Sequence, residues 1–449
     1  MNINYETIFP FSMNQDCFLY NGESGMIYPS IEPINCELLR MSASGVKVYE
    51  ASEELNDYLN IISDNRSHEK TRIRNHTKIT EEQWKQGNVV HKLWLSLTES
   101  CNMKCKYCFG EYGERETSNF MSVDMARKCI DYFFKYANKD IDYYSVRFFG
   151  GEPLLNSKVV KFSIEYINKK AKERNKRISY LLTTNGTIMD DEIMEMIIAN
   201  NISINISIDG NRDIHNFCRV FKNGEGSFEK VAECVNKFRG NGYKNIIARM
   251  TLSKPGVATF KKDVEYLWNI GFDQVYVDIA ETNRTDLLID ADDMKKISLQ
   301  MGEILNLMMV QYLEGNFKSL RNITDVYCFI DKKLLKESCM YFNPFTIQFT
   351  PSGDIYKCCR TLNKADKYSG NINEGVSWKD FYRSFHYDQS CNECWAKRLC
   401  GGGCKSIDHK DLYCEFAKII YSNSLKYYIF VKRNMDKIRK QTFLEEGLE

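Results

Sequence analysis

Leu93-Trp94-Leu95-Ser96-Leu97-Thr98-Glu99-Ser100-Cys101-Asn102-Met103-Lys104-Cys105-Lys106-Tyr107-Cys108 joins an apolar, strand-like run to three cysteines within eight residues. Leu93 to Leu97 has the length and apolar character of a buried strand. The cysteines that follow form a ligand array lacking one member. Zinc sites ordinarily take four ligands in paired sets, whereas an iron-sulfur cube held by three thiolates keeps one iron open. An open iron keeps a coordination position for a small ligand. For the cysteines by themselves, a zinc knuckle or a trio of inert thiols is the competing reading.

Outward from this stretch, residues 92 to about 313 alternate between strand-like and helix-like runs, the pattern of parallel βα units. Strands are expected at Leu93 to Leu97, Tyr144 to Phe149, Tyr180 to Thr184, Ile202 to Ile208, Ile246 to Leu252 and Val275 to Ile279. After Ser122, a plausible cap, Val123, Ala126, Ile130, Phe133, Phe134 and Ala137 recur at helical spacing. Further helices are expected at Val159 to Ala171, Ile193 to Ala199, Phe228 to Phe238 and Val264 to Trp268, the last ended by Gly271. Six right-handed βα units would curl into an open barrel whose site lies at the carboxyl ends of its strands.

The remaining motifs fall at those ends. The second strand runs into Gly150-Gly151-Glu152-Pro153, where the glycines admit a close approach and Glu152 can accept from an ammonium group. The third ends in Thr183-Thr184-Asn185-Gly186 and the fourth in Ser207-Ile208-Asp209-Gly210. Each, read by itself, is also a turn signal. CxxxCxxC with Tyr107 before its last cysteine, followed some forty residues later by Gly-Gly-Glu, resembles the radical SAM superfamily. The resemblance implies that Cys101, Cys105 and Cys108 hold a 4Fe-4S cluster whose open iron chelates S-adenosylmethionine (SAM) for one-electron cleavage, and that Glu152 meets the methionine amine of SAM. It further implies that Tyr107, Gly150, Gly151, Thr184, Asn185, Ser207 and Asp209 surround the cofactor, and that Arg219 pairs with its carboxylate. A solvated surface arginine is the plain alternative for Arg219; His215 reads as structural. No catalytic acid or base is assigned.

A second array lies downstream: Cys339, Gly353, Cys358, then Cys391, Cys394, Cys400, Cys404 and Cys414. Gly353 sits in a turn between strand-like runs Phe345 to Thr350 and Ile355 to Tyr356, a hairpin that would bring distant cysteines together. This spacing resembles the SPASM extension of radical SAM enzymes, which implies two auxiliary 4Fe-4S clusters. By that resemblance, Cys339, Cys358 and Cys404 hold the first, with Cys328 or a substrate cysteine as the fourth ligand. Cys391, Cys394, Cys400 and Cys414 hold the second. Rubredoxin-like or zinc sites are the rival metals. Gly401, Gly402 and Gly403 would let neighbouring thiolates turn to different clusters.

Composition sets bounds. The chain of 449 residues has room for several domains, and 61 basic against 60 acidic residues produce no field for nucleic acid or membrane. No 18-residue apolar run and no secretory signal are seen, so a cytoplasmic enzyme is expected. Seventeen cysteines suit metal or catalytic roles there; Cys17, Cys36, Cys129, Cys218 and Cys234 are expected to be buried, inert thiols.

The fold class expected is α/β, a partial (β/α)6 TIM-like barrel between two appendages. Residues 1–85 would be a small α+β domain and linker, 86–315 the barrel, 316–338 a bridge, and 339–449 the SPASM domain with a long helix from Glu415 to Lys440. Asp16 to Tyr20, a turn, and Met26 to Tyr28 read as strands, followed by helical stretches at Glu37 to Met41 and Ser52 to Ile62 and a charged linker, Asn65 to Lys85. In layout this leading segment resembles the peptide-recognition domain of ribosomal peptide (RiPP) maturases, which captures a leader peptide as an added strand. A packing appendage or a winged helix is the alternative, though no basic recognition helix is present. The resemblance implies oxidative crosslinking of a precursor peptide through cysteine thioethers, as in maturases of the ranthipeptide and sactipeptide type. Reduced flavodoxin or ferredoxin would be the electron donor. Alternatives are a formylglycine-generating sulfatase maturase, which usually carries an aspartate base where this chain has Cys359, a carbon-carbon crosslinking maturase, and a non-catalytic metal-stabilised binding protein.

Overall fold

The computed structural model describes residues 7–44, 52, 55, 82, 86–114, 119–334, 336, 339–343, 345–362, 364–376, 381 and 387–445. Most of the expected helix at 52–62 and of the linker at 65–85 lies outside the described residues.

Strands β1 (Ile8–Met13), β2 (Asp16–Asn21) and β3 (Ile27–Ser30) form an antiparallel sheet in that order, with helix α1 (Glu32–Ser44) following. The expected pair, β2 and β3, is there; β1 is an addition. It is joined to β2 by Asn14 and Gln15, both at positive φ, so Met13 faces Asp16 across a two-residue turn. Asn-Gln is an uncommon pair for this turn, which favours glycine at the second place, and that hid the hairpin.

Six strands, β4 (Lys92–Ser96), β5 (Tyr143–Phe149), β6 (Arg177–Thr184), β7 (Ser203–Ser207), β8 (Ile246–Leu252) and β9 (Gln274–Ile279), then pair in sequence order, all parallel. Helices lie between them, as βα connections require. Helix α2 (Val123–Tyr136) illustrates the local logic: Ser122 accepts from the Met125 N–H at 3.0 Å, and Ala126, Cys129, Ile130, Phe133 and Phe134 form its buried stripe. Phe133 and Phe134 each meet Tyr144 of β5 edge-on, at 5.5 and 5.8 Å between ring centres. The open barrel is therefore an α/β fold with a large parallel sheet.

The sheet does not stop at the barrel. Beyond β9 it adds β10 (Ser319–Leu320), and beside β4 it adds β11 (Thr346–Phe349), β12 (Asp354–Tyr356) and β13 (Gly370–Asn371), ten strands in all. β11 runs parallel to β4, with Gln348 opposite Trp94 and its amide donating to the Ser96 hydroxyl at 2.9 Å. The β11–β12 hairpin turns at Gly353, φ +83°. The cysteine-rich segment is thus hydrogen-bonded into the barrel sheet at the strand that leads to Cys101.

A long helix, Lys410–Glu445, packs on the helix Ala291–Leu313, with Phe430 5.6 Å from Tyr312. The small sheet leans on the cysteine-rich segment: Phe9 stacks on Trp395 at 3.9 Å, the Arg398 guanidinium donates to the Glu23 carbonyl at 2.7 Å, and Arg433 pairs with Asp16. Among the described residues no helix is long and apolar enough to cross a membrane.

Candidate functional site

The loop carrying Cys101, Cys105 and Cys108 leaves β4 and is pinned at both flanks. Lys104 N–H donates to the Val220 carbonyl at 2.8 Å and Lys106 N–H to the Cys218 carbonyl at 2.9 Å. On the other side Gly151 N–H donates to Thr98 and Glu152 N–H to Ser100, at 3.0 and 2.9 Å. This explains the paired glycines. A Cβ at Gly150 would overlap the Thr98 carbonyl, and one at Gly151 would lie 2.6 Å from the Ser100 carbonyl carbon. The glycines therefore admit the cysteine loop itself, besides lining the cavity beyond it. G151A is expected to destabilise the apoprotein by about 2–3 kcal/mol through overpacking, read as a lower thermal midpoint with reduced iron loading; an unchanged midpoint would mean that the loop yields freely.

The three thiols lie within electrostatic range of one another. Burial pushes Cys101 up to about 11 and Cys105 up to about 12, so each stays protonated near neutrality until a cation takes the proton's place. Among the described residues no three Cys, His, Asp or Glu side chains close on the position of one ion. A cube asks something else of its thiolates, each of which binds a separate iron. Soft thiols grouped at the mouth of a cavity fit such a group.

Glu152 is 1% exposed and accepts from Leu154 N–H, the Thr184 hydroxyl and Asn185 N–H, at 3.0, 2.7 and 2.7 Å. Burial pushes its carboxyl up to about 7 in spite of these donors. Three donors leave capacity for one more on a carboxylate. Asn185 reaches back to the cysteine loop, donating to Asn102 Oδ1 at 2.8 Å.

Asp209 sits at the end of β7 and gathers the opposite wall. Its Oδ2 accepts from the Tyr107 hydroxyl and pairs with Arg219 Nε at 3.0 Å, while Oδ1 accepts from Thr251 N–H at 2.9 Å. Burial opposes the Arg219 charge most strongly of any single cause, but Asp209 together with Tyr107 and Cys105 outweighs it and holds the guanidinium above its ordinary value. His215 is buried, with Nε2 2.9 Å from the Ser227 hydroxyl; burial pushes it down to about 3, so it is a neutral structural ring, as its sequence context indicates.

A cavity of about 530 Å3 opens between these groups, lined by Cys101, Cys105, Tyr107, Cys108, Gly150, Gly151, Thr184, Asn185, Ser207 and Arg219. Glu152 and Asp209 are not in that lining and lie behind it, tied to its walls. The cavity also reaches Cys359, noted above beside Cys358, and residues that sequence reasoning passed over: Trp94, Arg147, Arg249, Tyr276, Asp278 and Arg360. For Arg147, Arg249, Tyr276 and Asp278 a signal was available, since each is a charged or polar residue inside an otherwise apolar barrel strand.

Downstream, Cys404 lies within electrostatic range of Cys339 and Cys358. Cys400 is in range of Cys394 and Cys414, and Cys414 of Cys391 and Cys394. Gly401, Gly402 and Gly403 all adopt positive φ, 66°, 85° and 67°, turning the chain between the two sets. Cys328 is exposed on the short helix Tyr327–Asp331, whereas Cys359 joins its neighbour Cys358 by a thiol hydrogen bond and is in range of Cys404. Of the scattered cysteines, Cys17, Cys129, Cys218 and Cys234 are buried and Cys36 is half-buried.

Residues 95–267 match the Radical SAM superfamily. The cysteine-type anaerobic sulfatase-maturating enzyme of Clostridium novyi (strain NT) is 24% identical over 372 residues, 75% of this chain and 96% of that protein. The radical SAM cyclopropyl synthase TigE of Paramaledivibacter caminithermalis is 23% identical over 406 residues, 84% of this chain and 77% of its own. Among solved structures, native anSMEcpe with bound AdoMet aligns with a TM-score of 0.65 at 20% identity, covering 76% of this chain and 99% of that one, a likeness of fold. The chain is accordingly an enzyme with a radical SAM domain over residues 95–267, a family that implies SAM and a 4Fe-4S cluster, and is homologous to the anaerobic sulfatase-maturating enzymes.

Proposed function

We propose that this enzyme oxidatively crosslinks a ribosomally made precursor peptide, forming cysteine thioether bonds. Cys101, Cys105 and Cys108 would hold the SAM-binding cluster, and Glu152, Asn185, Ser207 and Arg219 would orient SAM. When bound, cluster and SAM supply a carbon-centred radical able to remove hydrogen from an unactivated carbon. The chain's own part is to hold the peptide against that radical and keep water away. Cys339, Cys358 and Cys404 would form one auxiliary set and Cys391, Cys394, Cys400 and Cys414 another, in a SPASM domain spanning 339–449. Residues 1–85 would receive the leader through a free edge of the small sheet, and reduced flavodoxin or ferredoxin would deliver electrons in the cytoplasm.

One observation carries this reading. Cys359 and Arg360, directly after Cys358, line the same cavity as the Cys101–Cys108 loop. A substrate in that cavity would lie between the SAM-side thiols and the first auxiliary set, the arrangement that a hydrogen abstraction followed by loss of a second electron needs. Formylglycine formation in a sulfatase is the second reading, favoured by the relatives; the thiol of Cys359 standing where that family usually carries an aspartate base weighs against it.

Co-expression with a short cysteine-containing precursor encoded beside the gene tests the proposal. Loss of two hydrogens per link, resistant to thiol alkylation, is expected by mass spectrometry. Conversion of the cysteine to an aldehyde would move the assignment to sulfatase maturation. A crosslink that leaves the cysteine free to alkylate would move it to carbon-carbon bonding.

A further inference from the structure

Five guanidinium groups line the cavity: Arg147, Arg219, Arg249, Arg321 and Arg360. Four have carboxylates. Arg219 pairs with Asp209, Arg249 with Asp278, Arg321 with Asp325, and Arg360 with Glu281. Among the described residues no carboxylate lies within ion-pair distance of Arg147.

Arg147 projects from β5 into the barrel, opposite Trp94 of β4 and Leu181 of β6 in register, with its guanidinium 4.8 Å from the Trp94 ring centre. The ring covers one face of the fork, and Arg147 lines the cavity. Burial works against this charge, and Arg249 and Arg321 add to the opposition, while the Cys359 thiol favours it. Arg147 is half-buried; a guanidinium is not relieved by losing its proton, and a charge drawn out of water is tolerated when a partner satisfies it. The planar fork matches the two oxygens of a carboxylate.

We propose that Arg147 binds a carboxylate of the substrate, so that the segment held for reaction carries an acidic side chain or a free carboxyl terminus close to the reacting residue. The inference rests on the peptide-modifying reading above and adds the chemistry by which the cavity selects its substrate. Arg219 is shared between Asp209 and SAM in this reading and the other three arginines are neutralised within the protein, which leaves Arg147 as the group that an entering substrate anion compensates. An acidic residue in the substrate would then dock on β5 while the rest of the segment reaches toward the SAM side of the same cavity.

The test uses the reconstituted enzyme with SAM and acetylated, amidated heptapeptides holding a central cysteine, with Glu, Asp, Gln or Asn at one neighbouring position. A matching glutamine peptide with a free carboxyl terminus is added to separate the two sources of carboxylate. Binding is followed by ligand-observed NMR. The wild-type enzyme is expected to bind carboxylate peptides at least about tenfold more tightly than their amide counterparts, the value of one charge-assisted pair. R147Q should remove that preference, and R147K should keep part of it. Equal binding of Glu and Gln peptides by wild type overturns the proposal, and so does a preference that survives in R147Q. Loss of the preference in C359S with its retention in R147Q would assign recognition to Cys359 and overturn it as well. The wild-type comparison does not depend on how any variant folds. Deoxyadenosine formation by wild type is measured in parallel: its absence would defeat the radical SAM reading, whereas its presence without carboxylate preference defeats only the role of Arg147.

Discussion

Replacing Cys101, Cys105 and Cys108 together with alanine is expected to abolish deoxyadenosine formation, a loss of about a thousandfold or more, while iron falls, under the two auxiliary clusters proposed above, from about twelve to about eight atoms per chain. Ligand supply sets this outcome. These thiols sit on a loop whose backbone is tied on both sides, to Cys218 and Val220 on one flank and to Gly151 and Glu152 on the other. Cys218, whose carbonyl accepts from the loop, is buried against the Ser253 hydroxyl, and Cys359 across the cavity is tied to Cys358. The downstream sets are built on other elements, so their visible absorbance should persist. That persistence separates loss of one cluster from loss of the fold. Cleavage of SAM by the triple variant, or loss of all iron, would refute the assignment.

The barrel was legible because βα repetition is a local signal. Strand Ile246–Leu252 falls where its apolar run places it, and the other five differ from expectation by one to three residues at an end. The third strand begins at Arg177, earlier than expected, since Arg177 and Ser179 are exposed and break the apolar pattern. The hairpin around Gly353 was legible too, as turn chemistry is local. Its pairing with β4 was not: Gln348 meets Trp94 across some 250 residues of chain, and a parallel pairing leaves no turn signature. The same distinction holds in the site. Motif residues announced the walls of the cavity, but the partner of each was set by the fold. Asp209 and Arg219 were each expected to face the cofactor; that they also face each other follows from the short helix Arg212–Cys218 turning Arg219 back beneath β7. Arg147 and Cys359 belong to no motif, and their meeting depends on β11 placing the cysteine-rich segment beside the barrel.

Asp209 should be the site's most sensitive polar position. D209N removes the charge that compensates Arg219, whose side chain is 9% exposed, and puts an amide beside it. Breaking a buried pair by deleting one partner costs about 3–5 kcal/mol, because the remaining charge is stranded. Such a loss is a large part of the stability of an ordinary domain. The substitution also weakens the acceptor for the Tyr107 hydroxyl, the side-chain tie between the cysteine loop and the end of β7. Two measurements follow from these separate roles. The urea midpoint of apo D209N should fall, and D209N with R219Q should recover part of the loss, with a coupling energy of about 1–3 kcal/mol. Alkylation of Cys105 should accelerate in apo D209N, since Tyr107 no longer anchors the turn between Cys105 and Cys108. Y107F should accelerate alkylation with a much smaller effect on stability, because it leaves the ion pair in place. Wild-type stability in D209N would mean that Arg219 finds its compensation elsewhere, and the pair would then cease to explain how the cysteine loop is held over the cavity.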